Sequence, residues 1–365
     1  MYLRSIKTYH FRNLQDSLIT FNPGVNVIIG KNGQGKTNLV EAINVLSLSK
    51  SFRTSVTSEL IKWGETECSL FGSVIYPSIE ESESELGFTV VKKSKSFLLN
   101  GNPVKSITDF VGRLICVTFS PADLFLLQGP PSGRRKFVDK HMVDLIPGLI
   151  GPLISYQRTL QNKNKLLKDG VETASLLDTW NELLARDGAM IANARMDFIK
   201  LLEVRAAKIH ARFCPSDGKL GLSLKSNVEG DLNTLFNALQ KIRSREVAVR
   251  SSIVGPHRDD VVVTLGGTDA HAFASQGQTR SIVLSLTLGV IELIEEQRGE
   301  SPVVLLDDVN SELDTSRSDA FFNLVLTQKR QIFITGTDAS VGHLVKESGY
   351  SFAAVEGGKV TLLTT

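Results

Sequence analysis

The residues from Gly30 to Thr37 carry the clearest chemistry in this sequence. They match the pattern G-x-x-x-x-G-K-[ST] completely and read Gly30-Lys31-Asn32-Gly33-Gln34-Gly35-Lys36-Thr37. In such a loop the glycines let backbone N–H groups turn inward around phosphate oxygens. The lysine reaches the β- and γ-phosphates, and the threonine hydroxyl binds Mg²⁺. The loop therefore predicts a site for a nucleoside triphosphate with Mg²⁺.

A pair of carboxylates predicts the other half of this site. The apolar run 302–306 ends in Asp307 and Asp308. A buried strand of this kind, a Walker B strand, places its acids at the carboxyl edge of a parallel sheet, beside Mg²⁺. We assign Asp307 to the Mg²⁺ shell, and Asp308 and Lys36 to catalysis, with Asp308 orienting or deprotonating the attacking water. An Asp-rich turn is the alternative for these two residues alone.

The elements around the loop agree with this interpretation. The apolar run 25–29 predicts a strand before the loop, and apolar residues recur on one helical face after it, at Leu39, Ala42, Ile43 and Leu46. The positive N-terminus of that helix would point at the bound anion. Strand, loop and helix together favour a phosphate site over a chance surface loop.

A second helix start offers another anion-binding terminus. Ser275, Gly277 and Gln278 precede an apolar helical run at 282–294. Because the fold already has one such terminus at Thr37, we expect the second to contact nucleotide across a dimer. The same residues also describe an ordinary helix N-cap, so both interpretations stay open.

Composition indicates a soluble protein of the reducing cytoplasm. The 365 residues are 42% hydrophobic and 22% charged, enough for a large core and a second domain. Cys68, Cys116 and Cys214 are far apart, which argues against a disulfide framework or a zinc site. We find no secretory leader and no stretch that approaches a membrane span, so we expect a cytoplasmic protein with no membrane partner.

The organisation of the chain predicts an α/β fold, with a phosphate-loop parallel sheet, an antiparallel β lobe and a helical insertion. We place the boundaries at 1–130 for the first part of the head, 131–250 for the insertion and 251–365 for the second part. Residues 134–250 hold 20 Lys and Arg against 13 Asp and Glu. The excess of positive charge in this region favours binding to DNA phosphate, and the alternative is that the charges lie on a solvated helix face.

Arg134, Arg135 and Lys136 open the basic insertion. They would either bind DNA phosphate, sense the nucleotide state or begin a solvated helix. His257, within the run 255–260, suggests a catalytic or metal-binding group beside two aspartates. We favour a buried structural turn there, because no other His or Cys lies nearby in sequence.

Several longer motifs give the chain a specific resemblance. Residues 275–278 resemble the signature motif of ABC-type ATPases, and 311–314 resemble their D-loop. Within that superfamily the chain resembles the RecF family of bacterial recombination and repair ATPases. The match rests on F-R-N-L at 11–14, S-F-R-T at 51–54, F-S-P-A-D-L at 119–124, R-R-K-F-V-D at 134–139, G-P-H-R-D-D at 255–260, S-Q-G-Q-T-R at 275–280 and L-L-D-D-V-N-S-E-L-D at 305–314.

The resemblance implies an ABC-type ATPase head, split by the helical insertion, that forms a homodimer on binding ATP. It implies a role in DNA repair, replication and the SOS response, with RecR and RecO as partners in loading recombinase. The expected ligand is double-stranded DNA or a junction with a single-stranded gap, recognised by form and not by sequence. Arg12 and Asn13 are the residues that the resemblance suggests for adenine.

Two departures from the superfamily pattern bear on the mechanism. Asp308 stands where such ATPases usually place Glu, and only Thr337 and Asp338 stand where many carry a switch His. We therefore expect slow hydrolysis that times a clamp. The alternatives are the motor subunit of a membrane transporter, which the basic insertion disfavours, and a non-hydrolysing structural DNA binder. A small GTPase is disfavoured because no [NT]-K-x-D motif follows.

Overall fold

The computed structural model describes residues 1–78, 82–170, 173–227, 230–308, 315–326, 329–337 and 350–363, with only the backbone described at 315–320. The strands are β1 (Tyr2–Tyr9), β2 (Ser17–Thr20), β3 (Val25–Ile29), β4 (Glu67–Tyr76), β5 (Ser82–Val91), β6 (Ser94–Leu99), β7 (Asn102–Pro103), β8 (Cys116–Phe119), β9 (Leu220–Lys225), β10 (Asp260–Leu265), β11 (Thr268–Asp269), β12 (Val303–Leu306), β13 (Ile332–Gly336), β14 (Ser351–Glu356) and β15 (Lys359–Leu363). The helices are α1 (Lys36–Leu48), α2 (Ile107–Phe110), α3 (Phe125–Gln128), α4 (Pro131–Leu145), α5 (Ile150–Lys168), α6 (Ala174–Phe213), α7 (Leu232–Lys241), α8 (Arg243–Val249), α9 (Ala270–Phe273), α10 (Gln276–Arg298) and α11 (Thr315–Leu326).

The central sheet carries the predicted nucleotide-binding strands. Its order is β15-β14-β3-β13-β12-β8. All neighbours in it are parallel except β14 and β15, which form an antiparallel hairpin. Because strands buried on both faces need side chains that are apolar throughout, the runs at β3, β12 and β13 lack a polar alternation. The carboxyl ends of β3 and β12 therefore lie at the same edge of the sheet, separated by β13.

An antiparallel sheet in the order β2-β1-β4-β5-β6-β7 packs on the other side of α1. Asn100-Gly101, a dipeptide that favours a two-residue hairpin turn, joins β6 to β7, and both residues have positive φ as such a turn requires. The acidic run at 80–85 favours an exposed loop by its sequence, but β5 starts at Ser82 and includes Glu83 and Glu85. The predicted α/β class, with a parallel sheet beside an antiparallel lobe, is confirmed.

The predicted insertion, residues 131–250, is mainly helical, but it also contains β9, which pairs with β10 beyond the predicted boundary. Its long helix α6 packs against α5, α7, β9 and α10. The boundaries at 130 and 250 stay a prediction, because the main hydrophobic core runs through α4 and the second half of α6. A smaller apolar cluster lies between α5, α6 and α7.

One helix in the described part of the chain, α10, is long and apolar enough to cross a membrane. This helix differs from the expectation that no apolar stretch approaches the length of a membrane span. Of its most apolar window, 78% is buried inside the protein. Here α10 packs on α6 and on β8, so it serves as a core helix of the head.

Candidate nucleotide site

The phosphate loop links β3 to α1 in the way that its sequence predicts. Gly30 has φ 156° and Gly35 has φ 119°, values that side-chain-bearing residues rarely adopt. A Cβ on Gly30 would lie 2.4 Å from the carbonyl oxygen of Val355, which is buried in the neighbouring strand. The helix starts directly at Lys36, so its free N–H groups face the loop.

Lys36 is 8% exposed, and its ammonium group lies within the loop. Its Nζ donates to the carbonyl oxygens of Gly30 at 2.7 Å and Lys31 at 3.1 Å. The backbone carbonyl groups of the loop therefore hold the lysine ammonium group in place. An incoming phosphate would offer the ammonium a charge-assisted hydrogen bond, which is stronger than one to a neutral carbonyl.

Thr37 and Asp307 meet as the sequence predicts, although 270 residues separate them. The Thr37 hydroxyl donates to Oδ1 of Asp307 at 3.1 Å. Oδ1 also accepts from the hydroxyl of Thr335 at 2.8 Å. Asp307 is 4% exposed, and this burial raises the pKa of its carboxyl group. A hydroxyl and a buried carboxylate, both oxygen ligands, fit Mg²⁺, which prefers such ligands beside phosphate.

Asp308 follows on the exposed side of the same edge. Its φ is 52°, in the left-handed region that Asp tolerates better than most residues. Its backbone N–H donates to the Thr335 hydroxyl at 2.9 Å. The hydroxyl of Thr335 therefore bonds to both aspartates: it accepts from the backbone N–H of Asp308 and donates to the carboxylate of Asp307.

Arg12 and Asn13, the two residues suggested for adenine, form hydrogen bonds with α1 and with the phosphate loop. Arg12 forms a bidentate ion pair with the fully buried Glu41 of α1, at 2.7 and 2.9 Å. The Asn13 amide donates to the carbonyl of Gln34 at 3.3 Å and accepts from Asn38 at 2.7 Å. These contacts show a structural use for both side chains, and their contact with adenine stays a prediction.

The turn between β14 and β15 also touches the loop, and our sequence interpretation missed it. The N–H of Gly358 donates to the carbonyl of Gln34 at 3.0 Å, and the N–H of Gly357 donates to its side-chain Oε1 at 2.7 Å. The tandem glycines between two β-like runs were the available signal, since such a pair predicts a tight hairpin. The contact with residue 34 has no signal in the sequence.

Ser275, Gly277 and Gln278 lie at the start of α10. Ser275 and Gln278 form a capping box: the Ser275 Oγ accepts from Gln278 N at 3.2 Å, and the Gln278 Oε1 accepts from Ser275 N at 3.0 Å. Ser275 is exposed. Within the described chain no hydrogen bond or ion pair joins these residues to the phosphate loop. The cap is therefore present, and its contact with nucleotide stays a prediction.

The structure shows a structural use for Arg134. Its side chain is 5% exposed and forms a bidentate ion pair with Asp260 at 2.8 and 3.0 Å. Its Nη1 donates to backbone carbonyls, including that of Gly129 at 2.9 Å. Arg134 therefore holds α4 to β10, and its contact with DNA stays a prediction. Arg135 is half-buried and donates to Asp259 O at 2.6 Å, whereas Lys136 is exposed and stays a candidate.

His257 lies in a hydrogen-bonded turn, as we favoured. Its Nδ1 lies 2.7 Å from the Tyr156 hydroxyl, and its Nε2 lies 3.2 Å from Ser252 O. Burial lowers the pKa of His257 to about 4, so the ring is neutral at pH 7. In the described ranges no group of three His, Cys, Asp or Glu side chains could hold a metal ion. The D-loop-like residues 311–314 and Asp338 lie outside the described residues.

Comparisons with known proteins agree with this geometry. The family model described as "RecF/RecN/SMC N terminal domain" matches residues 2–358. A protein of Limosilactobacillus reuteri (strain DSM 20016), named "DNA replication and repair protein RecF", is 39% identical over 352 residues, which cover 93% of each chain. A protein of the same name from Streptococcus pneumoniae (strain ATCC 700669 / Spain 23F-1) is 37% identical over 369 residues, covering 99% of each.

Solved structures extend the likeness to the whole fold. A structure described as that of the recombination mediator protein RecF with ATP, in the RecFOR pathway, superposes with a TM-score of 0.89 at 34% identity. The match covers 100% of this chain and 98% of that one. An Smc head domain from Pyrococcus furiosus superposes with a TM-score of 0.58 at 15% identity, covering 100% of this chain and 96% of that one. That second likeness concerns the fold alone.

Proposed function

Because this chain belongs to the RecF/RecN/SMC N-terminal domain family and is an ABC-type ATPase, we propose that it is an ATP-dependent DNA-binding protein of recombinational repair and replication. The observation that carries the proposal is the meeting of Thr37 and Asp307 at 3.1 Å beside an intact phosphate loop. The relatives named RecF and the ATP-bound RecF structure support the same reading.

At this site we propose that residues 30–37 bind the triphosphate of ATP. Thr37 and Asp307 would hold Mg²⁺, which neutralises phosphate charge when bound. Lys36 would bind the terminal phosphates, and Asp308 would orient the attacking water. Because Asp308 is one methylene shorter than Glu, hydrolysis would be slow and would time release.

The second part of the proposal concerns a dimer. Ser275, Gly277 and Gln278 form no hydrogen bond or ion pair with the loop of their own chain within the described residues, and Ser275 is exposed at a helix N-terminus. A second copy could therefore bring its own cap to the bound phosphates, because helix N-termini favour anions. ATP would then hold two copies together as a clamp.

The third part concerns the ligand and partners of the clamp. We propose that the dimer binds double-stranded DNA or junctions with single-stranded gaps, without sequence specificity, and acts in the cytoplasm with RecR and RecO to load recombinase. Lys136 is the member of its motif that stays exposed for a phosphate contact. Phosphate contacts position a protein and carry no direct sequence information.

The test is sedimentation of the wild-type chain and of Ser275→Arg, with and without ATP and Mg²⁺. We expect ATP to convert the wild type from monomer to dimer. The arginine should leave ATP binding to the monomer intact and abolish the dimer, because Ser275 lies outside the chain's own loop. Glu292→Gln, on the same helix, is the control and should dimerise normally.

Two results would overturn the proposal. Wild-type protein that binds no ATP would remove the nucleotide site, and a dimer unchanged by Ser275→Arg would remove the composite site. Retention of the protein on a membrane fraction in preference to DNA would favour a transporter motor. If Lys36→Arg changed neither dimerisation nor the affinity for DNA, the result would favour a structural DNA binder.

A further inference from the structure

The hairpin of β14 and β15 lies against both ends of the phosphate loop. At the first end, a Cβ on Gly30 would meet the carbonyl oxygen of Val355 in β14 at 2.4 Å. At the other end, the turn residues Gly357 and Gly358 donate two hydrogen bonds to Gln34. The hairpin therefore constrains the backbone path that must aim the loop's N–H groups at phosphate.

The turn itself is held from its other side. Gln15 N donates to Gly358 O at 2.9 Å, and the Gln15 side-chain amide donates to Gly357 O at 3.4 Å. The turn is therefore hydrogen-bonded on one side to Gln15, which follows β1, and on the other side to Gln34 of the phosphate loop. A displacement of the turn would be transmitted directly to Gln34.

Gly358 is the position that permits this close approach. Its φ is 78°, and a Cβ there would lie 1.9 Å from Asn13 O and 2.9 Å from Asn13 C. Both are backbone atoms, so no side-chain rotation could relieve the clash. Any residue other than glycine would move the turn, or the segment of Asn13, away from the loop.

We propose that the Gly357–Gly358 turn is a positioning element of the nucleotide site: it fixes Gln34, and with it the loop conformation that binds triphosphate. The inference rests on the proposed binding of ATP. It adds residues from the far end of the sequence to that site. They act through Gln34 and touch neither the phosphates nor the predicted Mg²⁺ ligands.

The chain contains a matched control turn. Gly266 and Gly267 join β10 to β11 in another two-residue hairpin, with φ values of 58° and 83° against 53° and 78° at Gly357 and Gly358. A Cβ on Gly267 would have no heavy atom within 4 Å. Gly267→Asn and Gly358→Asn therefore introduce the same side chain at the same turn position, and they differ in the clash with Asn13.

The experiment measures the Kd for ATP of the wild type and both variants by calorimetry, with the melting temperature of each nucleotide-free protein. We expect Gly358→Asn to raise the Kd by about tenfold or more, the change produced by losing one or two hydrogen bonds of ordinary net strength. Gly267→Asn should leave the Kd within about twofold. A merely structural turn would lower the melting temperature of Gly358→Asn and leave its Kd unchanged, and that result would overturn the inference.

A second variant covers the case in which Gly358→Asn does not fold. Gln34→Met removes the acceptor of the Gly357 bond without a backbone clash. In the nucleotide-free protein we expect faster hydrogen exchange at the loop amides 33–36. Unchanged exchange there would overturn the inference. Wild-type protein that binds no ATP would instead contradict the proposed function.

Discussion

Thr335 lies between the two acids that follow β12. Its hydroxyl donates to the Asp307 carboxylate and accepts from the backbone N–H of Asp308, so neither that carboxylate nor the Asp308 backbone can move without breaking a bond. The left-handed backbone at Asp308 adds a further restraint, because few neighbouring conformations are allowed there. The short side chain of Asp308 therefore cannot be brought nearer to the phosphates by a small shift of its backbone.

This restraint gives a prediction for turnover. We expect the wild type, without DNA or partners, to hydrolyse fewer than about one ATP per second, at the low end of enzyme turnover. Asp308→Glu should raise the rate because it restores the missing methylene. Asp308→Asn should lower it by about 100-fold or more, the usual contribution of a general base.

Phosphate release under saturating ATP is the measurement, and unchanged ATP affinity in both variants is the control. A wild-type rate of many per second would contradict the prediction. A rate that Asp308→Asn does not change would show that another group positions the water.

The sequence predicted the chemical residues of this site better than the residues that hold them. Gly30 through Thr37 and Asp307 follow a pattern whose spacing is set by phosphate and Mg²⁺, so the pattern is local and visible. Thr335 and Gly358 act through contacts with residues distant in sequence, and their types are common in strands and turns. No rule of spacing joins position 358 to position 34.

Among the elements, α6 has the most varied contacts. It contains 40 residues, which at the rise of an α-helix makes it about 60 Å long. Midway along it, Arg195 is 4% exposed. Its guanidinium pairs with Asp139 of α4 at 2.8 Å and with Asp259, before β10, at 3.0 Å. One side chain thus joins the insertion to the strand that leads toward α10.

We predict that Arg195→Ala lowers the free energy of unfolding by about 3–5 kcal/mol, since it leaves the buried carboxylate of Asp259 without its charged partner. Arg212→Ala, on the same helix, is the control. Arg212 is exposed and forms no ion pair within the described residues, so its loss should change stability by less than about 1 kcal/mol. Urea unfolding followed by circular dichroism measures both. Equal effects of the two variants would contradict the prediction.

The same packing explains why the basic motif at 134–136 could be located but not assigned. The helix start was predictable from Pro131 and the residues after it. The burial of Arg134 depends on Asp260, which lies 126 residues further along the chain. Charge counts for a segment do not distinguish a buried paired arginine from an exposed one.

At the scale of the whole molecule, the main core is continuous. One apolar cluster joins the antiparallel lobe, α1, the central sheet and the second half of α6. Cys68 in β4 and Cys116 in β8 belong to this cluster, and Cys214 is buried at the end of α6 outside it. Burial raises the pKa of both Cys68 and Cys116 to about 12, which further reduces their reactive thiolate fraction at neutral pH.

We therefore expect all three thiols to resist a thiol reagent in native protein and to become reactive at one urea concentration. A continuous core favours a single cooperative transition. Single-cysteine versions, with the other two replaced by Ala, would identify each residue's midpoint by mass spectrometry. Earlier exposure of Cys214 than of the other two would show that the insertion unfolds on its own.

The order of the central sheet also matters during synthesis. Strand β3 and its loop leave the ribosome early, yet their neighbours β13 and β14 come about 300 residues later. At typical elongation rates of about 5–20 residues per second, the nascent chain waits roughly 15 to 60 seconds for them. During that time the apolar strand β3 has neither of its two neighbouring strands to pair with. The phosphate loop can therefore be held in its observed conformation only after β13 and β14, which pair with β3 on either side, have been synthesised.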